Sequence, residues 1–252
     1  MARETMKMLA AVAAVGLLGL SAGCGEVMHA GHAALLNAQF DALEKDPDYG
    51  PMFAELHTDF PNEWALMRQQ VTAGVADLYD GPQIEAKARA LSTAFMLDFR
   101  RTHLPAAAKA SDATLGAIAS DQLAMMQGLK AIDPVVCGQI SMGNSSGTPP
   151  REATRLVSRS GTLILRAVKE GETRPVQRET FSAKDGASLA KILQAQGVTP
   201  RQSQLLQYGA ASASPAEQCD MGIVVFRAAS QLPAPARARF MALTLTTLAG
   251  QR

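Results

Sequence analysis

Three arginines spaced four residues apart form the most regular set of charged side chains in the sequence. Arg151, Arg155 and Arg159 fall on one face of a predicted helix. Guanidinium groups in such a row can bind phosphate or carboxylate groups through paired hydrogen bonds. A row of this kind is also typical of a solvated helix face, and the sequence alone leaves both interpretations open.

Two other sets of residues have the types, but not the full number, of metal ligands. His29 and His32 lie three residues apart after Met28, and imidazole and thioether groups suit copper or zinc, but two histidines leave such a site incomplete. Asp46 and Asp48 match the start of an EF-hand loop, whose later ligand positions are then missing. We therefore predict no metal and no other cofactor.

Glu55, His57 and Asp59 bring three ionisable groups together in the sequence. On a helix Glu55 and Asp59 share a face and His57 points away, which separates the imidazole from the carboxylates. His57 and His103 both lie near predicted helix ends, where an imidazole can cap backbone carbonyls and interact with the helix dipole. We expect this structural role rather than acid–base catalysis.

Residues 143–147, Gly-Asn-Ser-Ser-Gly, match the G-x-S-x-G pattern of esterase nucleophiles. That motif requires an apolar strand before the serine and a histidine after it. No such strand precedes the segment, and all four histidines lie upstream of it. The segment is therefore predicted to be a loop, and no catalytic residue is assigned.

The elements that must position these groups are predicted to be helices. Alanine, the best helix former, occurs 45 times, and apolar residues recur at helical spacing between proline and glycine breaks. The pattern predicts an all-α fold, a multi-helix bundle of roughly 7–9 helices. One segment has an alternative, a hairpin across Gly171, because residues 176–181 suit an extended chain. Three pairs have the spacing of capping boxes and mark helix starts: Ser182 with Asp185, Thr199 with Gln202, and Ser214 with Glu217.

Charge divides the chain into two opposed parts. Residues 25–133 contain 15 acids and 8 bases, whereas residues 134–252 contain 7 acids and 14 bases. We divide the chain into an acidic helical half (24–137), a Gly/Ser/Pro-rich loop (138–150) and a basic helical half (151–252), and residues 24–252 could also form one domain. Attraction between the halves explains the pattern, and a basic half facing an anionic surface is the alternative. The net charge of +1 argues against a nucleic-acid binder.

The N-terminus has the features of an export signal. A short basic region precedes an uncharged run over residues 8–22, which is too short to span a membrane. The sequence Leu-Ser-Ala-Gly-Cys at 20–24 resembles the lipobox of bacterial lipoproteins. The resemblance implies a signal peptide at 1–23, a diacylglycerol on the Cys24 sulfur, and the outer membrane as destination in a Gram-negative cell. Conventional cleavage, giving a soluble periplasmic or secreted protein, is the alternative.

The number of cysteines, which is three, leads to a further prediction. With Cys24 acylated, Cys137 and Cys219 remain as an even pair, which predicts a disulfide in an oxidising compartment, and two buried free thiols are the alternative. We therefore expect a membrane-anchored, non-catalytic helical protein with a structural or partner-binding role at the cell envelope. Its partner would be an envelope protein or an anionic envelope polymer. An envelope hydrolase and a carrier of small molecules or metals are the alternative functions.

Overall fold

The computed structural model describes residue 34 and residues 36–141, 150–208 and 213–250. These residues contain eleven helices and no strand, so the predicted all-α fold is confirmed, whereas the predicted count of roughly 7–9 helices is too low. The helices are α1 (36–43), α2 (Gly50–Asp59), α3 (Pro61–Val75), α4 (Gly81–Ala107), α5 (Asp112–Ile132), α6 (Pro134–Ser141), α7 (Arg151–Thr173), α8 (Ala183–Ala195), α9 (Pro200–Tyr208), α10 (Pro215–Ser230) and α11 (Ala234–Gly250).

From the sequence we expect Asp133 and Pro134 to end one helix and a loop to begin at residue 138, but helix α6 lies here. Asp133 follows the last residue of α5, and its carboxylate accepts hydrogen bonds from the backbone N–H groups two and three residues later (2.7 and 3.3 Å). The same residue therefore caps the start of α6, and Pro134 suits the first helical position. Because α6 continues to Ser141, the loop predicted at 138–150 begins later than expected.

Two other helices run beyond their predicted ends, which lay near His103 for α4 and near Lys169 for α7. Helix α4 continues to Ala107 with Pro105 inside it, because Leu104 and Ala107 are buried and this packing outweighs the one backbone hydrogen bond that a proline cannot donate. Helix α7 continues past Gly171 to Thr173, so the hairpin considered for that segment is wrong. Residues 174–182, which follow α7, form no strand.

One core holds most of the helices together. Its buried side chains come from α1 to α5, α7 and α11, and Trp64, Leu115 and Leu245 are among them. Helix α7 packs against α2, α4 and α5, and α11 packs against α4 and α5. The acidic and basic halves of the sequence therefore share this core.

A second, smaller core lies where α5, α6, α7 and α10 meet. Gly138 allows α6 to approach α10 closely, since a β-carbon at this position would lie 1.7 Å from the carbonyl oxygen of Pro215. Helices α8 and α9 lie beside α10, and Leu205 of α9 is buried with Met221 of α10 in a third, minor cluster. These two helices form the edge of the molecule.

Candidate functional site

The arginine row of α7 meets a buried carboxylate. Arg151 donates from Nε to Oδ2 of Asp48 (2.7 Å), and Arg155 donates from Nε and from a terminal nitrogen to Oδ1 (2.9 and 2.7 Å). The Asp48 side chain is 1% exposed, whereas the two arginine side chains are largely exposed. The hydrogen bonds from Arg155, and then from Arg151, hold the pKa of Asp48 below its ordinary value against the opposing effect of burial.

Local structure at the start of α2 presents Asp48 to α7. The Asp46 carboxylate accepts hydrogen bonds from the backbone N–H groups of Asp48 (2.8 Å) and Tyr49 (3.1 Å), which closes an Asx-type turn. Ser158 of α7 donates to the carbonyl oxygen of Tyr49 (3.3 Å). Both aspartates of the EF-hand-like pattern are therefore engaged by protein groups, Asp46 with the backbone and Asp48 with arginines.

The remaining cations of this helix face also pair with the acidic half of the chain. Arg159 lies 2.8 Å from Asp121 of α5, and Arg166 lies 2.8 Å from Glu55 of α2. An incoming phosphate or carboxylate would have to compete with these carboxylates for the guanidinium groups. The geometry thus places Arg151, Arg155 and Arg159 at contacts between helices.

The three ionisable side chains Glu55, His57 and Asp59 do not lie together: the two carboxylates are neighbours, and the imidazole has other contacts. Burial raises the pKa of Asp59, and the neighbouring Glu55 carboxylate raises it further, so these two groups lie together on α2. His57 faces the other way: its Nδ1 lies 3.1 Å from the Glu44 carboxylate, and its ring stacks on Trp64 at 5.7 Å between centroids. The imidazole is held by a carboxylate and an indole, rather than by the carbonyl capping that we expected.

His103 lies inside α4, between carboxylates from two other helices. Its Nδ1 is 2.7 Å from Glu172 of α7, and its Nε2 is 3.6 Å from Glu63 of α3. The ring also stacks on Phe99 at 4.5 Å between centroids. Because α4 continues beyond its predicted end, His103 bridges three helices and does not cap the carbonyls of one.

Cys137 and Cys219 form the predicted disulfide between α6 and α10. Both residues are fully buried in the second core, with Met126, Leu129 and Ile223 around them. The bridge joins positions 82 residues apart in the sequence. The alternative of two free thiols is therefore wrong.

Among the charged pairs that the sequence did not indicate, one joins α8 to α11. Arg239 of α11 binds both carboxylate oxygens of Asp185 (2.8 and 2.7 Å), and Ser182 donates to the same carboxylate. The pKa of Asp185 consequently lies far below its ordinary value, mainly through the hydrogen bonds from Arg239. The sequence pattern identifies Asp185 only as a capping residue, and nothing local indicates a partner 54 residues away.

Several predicted features lie outside the described residues: the lipobox cysteine Cys24, the histidines His29 and His32, and the G-x-S-x-G segment at 143–147. Within the described ranges, no group of three or more His, Cys, Asp or Glu side chains is arranged to hold a metal ion. Among the described helices, none combines the length and the apolar character needed to cross a bilayer.

A scan against protein-family models, a search of curated proteins and a search of solved structures found no match for this chain.

Proposed function

We propose that this chain is an exported helical protein, anchored through a lipid on Cys24, with a structural or partner-binding role at the cell envelope. The observation that carries the proposal is the buried Cys137–Cys219 disulfide. Structural disulfides persist in oxidising compartments such as the periplasm and are rare in the cytosol of mesophiles. Pairing of these two cysteines also leaves Cys24 as the odd thiol, at the position where a lipobox requires one.

The charged side chains support a structural rather than a reactive role. The cations of α7 are joined to acids of α2 and α5 and of the turn before α2, and so connect helices that are distant in sequence. Such pairs specify one arrangement of helices, and their hydrogen bonds are already made within the protein.

The histidine geometry gives no support to the hydrolase alternative. A general base needs a ring nitrogen within hydrogen-bond reach of a substrate proton or a nucleophile. Both nitrogens of His103 face carboxylates, and Nδ1 of His57 faces Glu44. Among the described residues, neither imidazole is hydrogen-bonded to a serine, threonine or cysteine that could act as a nucleophile. The candidate metal ligands His29 and His32 lie outside the described residues.

The first experiment tests export and anchoring. Mass spectrometry of the mature N-terminus from the native membrane should show Cys24 with a diacylglyceryl group, and a Cys24→Ser variant should lose this modification and leave the membrane fraction. Alkylation without reductant should leave Cys137 and Cys219 unlabelled. An unmodified N-terminus at another residue would refute the lipid anchor. Labelling of both core cysteines in protein from its native compartment would refute the disulfide on which the proposed export rests.

The second experiment tests the role. Anchored protein is crosslinked in native membranes, purified, and compared with the Cys24→Ser variant as a control for location. A reproducible envelope partner that depends on the anchor supports the partner-binding role. Absence of any reproducible partner, together with an unchanged envelope in a deletion strain, would contradict the proposal.

A further inference from the structure

Helix α8 is unusual in what it buries. Asp185 is its only buried residue, and no apolar side chain of the helix is fully covered. Leu189, Ile192 and Leu193 fall on one face and are half-buried, beside α10. The opposite face, which includes Lys184 and Lys191, is exposed. The outer surface of α8 is therefore exposed and can contact another molecule or a membrane surface.

The outer surface of α8 itself is cationic and carries no unpaired acid, and the exposed acid that precedes it in the sequence is Glu179. Between residues 180 and 216 the only acid is Asp185, and its carboxylate is occupied by Arg239 and Ser182. In the part of the chain that the structure describes, Lys184 and Lys191 make no ion pair, whereas Arg201 is paired with Glu217. An anionic surface would thus meet two lysines and no unpaired carboxylate over this stretch.

The spacing of the lysines suits a flat surface. Seven residues correspond to about two helical turns, so Lys184 and Lys191 lie on the same face, roughly 10 Å apart along the axis. The exposed residue between them on this face is Ala187, whose small side chain leaves both ammonium groups prominent. Two point charges on flexible stems can reach a plane of headgroups without a shaped pocket.

We propose that the Lys184–Lys191 face of α8 lies on anionic phospholipid headgroups and orients the anchored protein on the membrane. This inference rests on the proposed lipid anchor. Nine residues separate Cys24 from Ala34, the first described residue, and they span at most about 35 Å when fully extended. The anchored body is therefore held beside a bilayer. The acyl chains provide one membrane contact, and the lysine pair provides a second, electrostatic contact with the headgroups.

The test places a fluorescent reporter on this face. Acylated protein carrying Trp64→Phe and Ala187→Trp is reconstituted into vesicles that contain phosphatidylglycerol and a headgroup-labelled nitroxide lipid. A second reporter protein carries Trp64→Phe and Leu66→Trp, since Leu66 is exposed on α3. We expect at least about twofold stronger quenching of the α8 reporter, and circular dichroism checks that both proteins keep their helical content.

Matched charge reversals then test the lysines. Lys184→Glu with Lys191→Glu should reduce quenching of the α8 reporter to that of the α3 reporter, since each lysine is expected to change the docking equilibrium about fivefold. Lys87→Glu with Lys109→Glu makes the same change in net charge at two other exposed lysines and should leave quenching unchanged. Raised salt and vesicles of phosphatidylcholine alone should both weaken the effect.

The outcomes separate this inference from the proposed function. Protein that floats with vesicles while its α8 reporter is no more quenched than the α3 reporter overturns the lipid contact and leaves the anchor standing. Equal loss in both charge-reversed variants also overturns it. If the α8 reporter is shielded from water in native membranes but is not quenched on vesicles of pure lipid, this face contacts an acidic protein, and the lipid contact is overturned. Protein that fails to float overturns both the anchor and this inference.

Discussion

Helices α5 and α8 are held in the molecule by different interactions. The buried residues of α5 are apolar side chains and one glycine: Leu115, Gly116, Ile118, Ala119, Met125, Met126 and Leu129. Helix α8 buries one carboxylate, which is held by Arg239, and begins with a capping box formed by Ser182 and Asp185. The interior of the molecule is thus stabilised by removal of apolar surface from water, whereas its edge is stabilised by a few directed bonds.

This difference predicts unequal resistance to local opening. Segments with few buried apolar contacts open at free energies well below that of global unfolding. Helix α9 resembles α8 in this respect. Leu205 is the buried residue within 200–207, and an exposed ion pair between Arg201 and Glu217 joins this helix to α10. We expect amide exchange in α8 and α9 to precede exchange in α5 and α7.

The largest expected effect comes from removing the disulfide. Cys137→Ser with Cys219→Ser should lower the free energy of unfolding by about 4–5 kcal/mol in the chain-entropy model for a loop of this length, as measured by urea denaturation. The bridge acts on global unfolding, so amide protection in α5 should fall while that in α8 changes little. Equal losses of protection in the two helices would contradict the division between interior and edge.

A matched pair of leucine truncations measures the division directly. Leu115→Ala removes a fully buried side chain from the main core and should cost about 3 kcal/mol. Leu189→Ala makes the same chemical change on half-buried α8 and should cost about 1 kcal/mol or less, since less apolar surface is lost. Urea denaturation of both variants checks this, and similar values would show that α8 is packed as tightly as α5.

The ion pair between Asp185 and Arg239 should weaken in acid. The pKa of Asp185 in the folded protein lies far below the ordinary 3.8, so the stabilising effect of this carboxylate is complete above about pH 5 and is lost as the pH falls towards the folded-state pKa. Asp185→Asn should therefore lower amide protection in α8 at pH 7, and this difference from the unsubstituted protein should shrink below about pH 4.

A matched control for the Asp185 substitution is Asp98→Asn. Asp98 forms an exposed pair with Arg101 on α4, and its substitution should change protection little at any pH. A loss of α8 protection that is independent of pH would show that the carboxylate charge is not what holds the helix. A loss as large for Asp98→Asn would remove the distinction between buried and exposed pairs.

The smallest effect is expected at an exposed pair on the interior helices. Lys130 of α5 lies 2.6 Å from Asp220 of α10, with both side chains about half exposed. Lys130→Ala should change the free energy of unfolding by about 0.5 kcal/mol, because water screens such a pair. A loss above about 2 kcal/mol would mean that charge pairs, and not apolar burial, also hold the interior.

Local rules were enough to predict the features that lie within a few residues of one another. The capping boxes at Ser182 and Ser214 are both present, with reciprocal side-chain and backbone hydrogen bonds. The pair Thr199 and Gln202 makes the same two contacts. Capping depends on residues three apart, so one sequence contains the needed information. The disulfide followed from counting, since only two cysteines remained once Cys24 was predicted to be acylated.

Features that depend on contacts between residues distant in the chain could not be predicted from the sequence. Asp48 meets Arg151 and Arg155 across 103 and 107 residues, and spacing within α7 could not identify that acceptor. His103 was expected to cap a helix end, but its partners lie on α3 and α7. Helix α6 was missed because Asp133 was interpreted only as the end of α5, whereas it also begins the next helix.

The disulfide has a consequence for how the protein would respond to a protease. Cys137 and Cys219 enclose α7, α8 and α9 in one covalent ring of the chain. A single cut anywhere between these cysteines leaves two polypeptides that stay joined, and α7 still contributes to the main core. Such a nicked molecule would run as intact protein on a non-reducing gel and separate into two bands only after reduction.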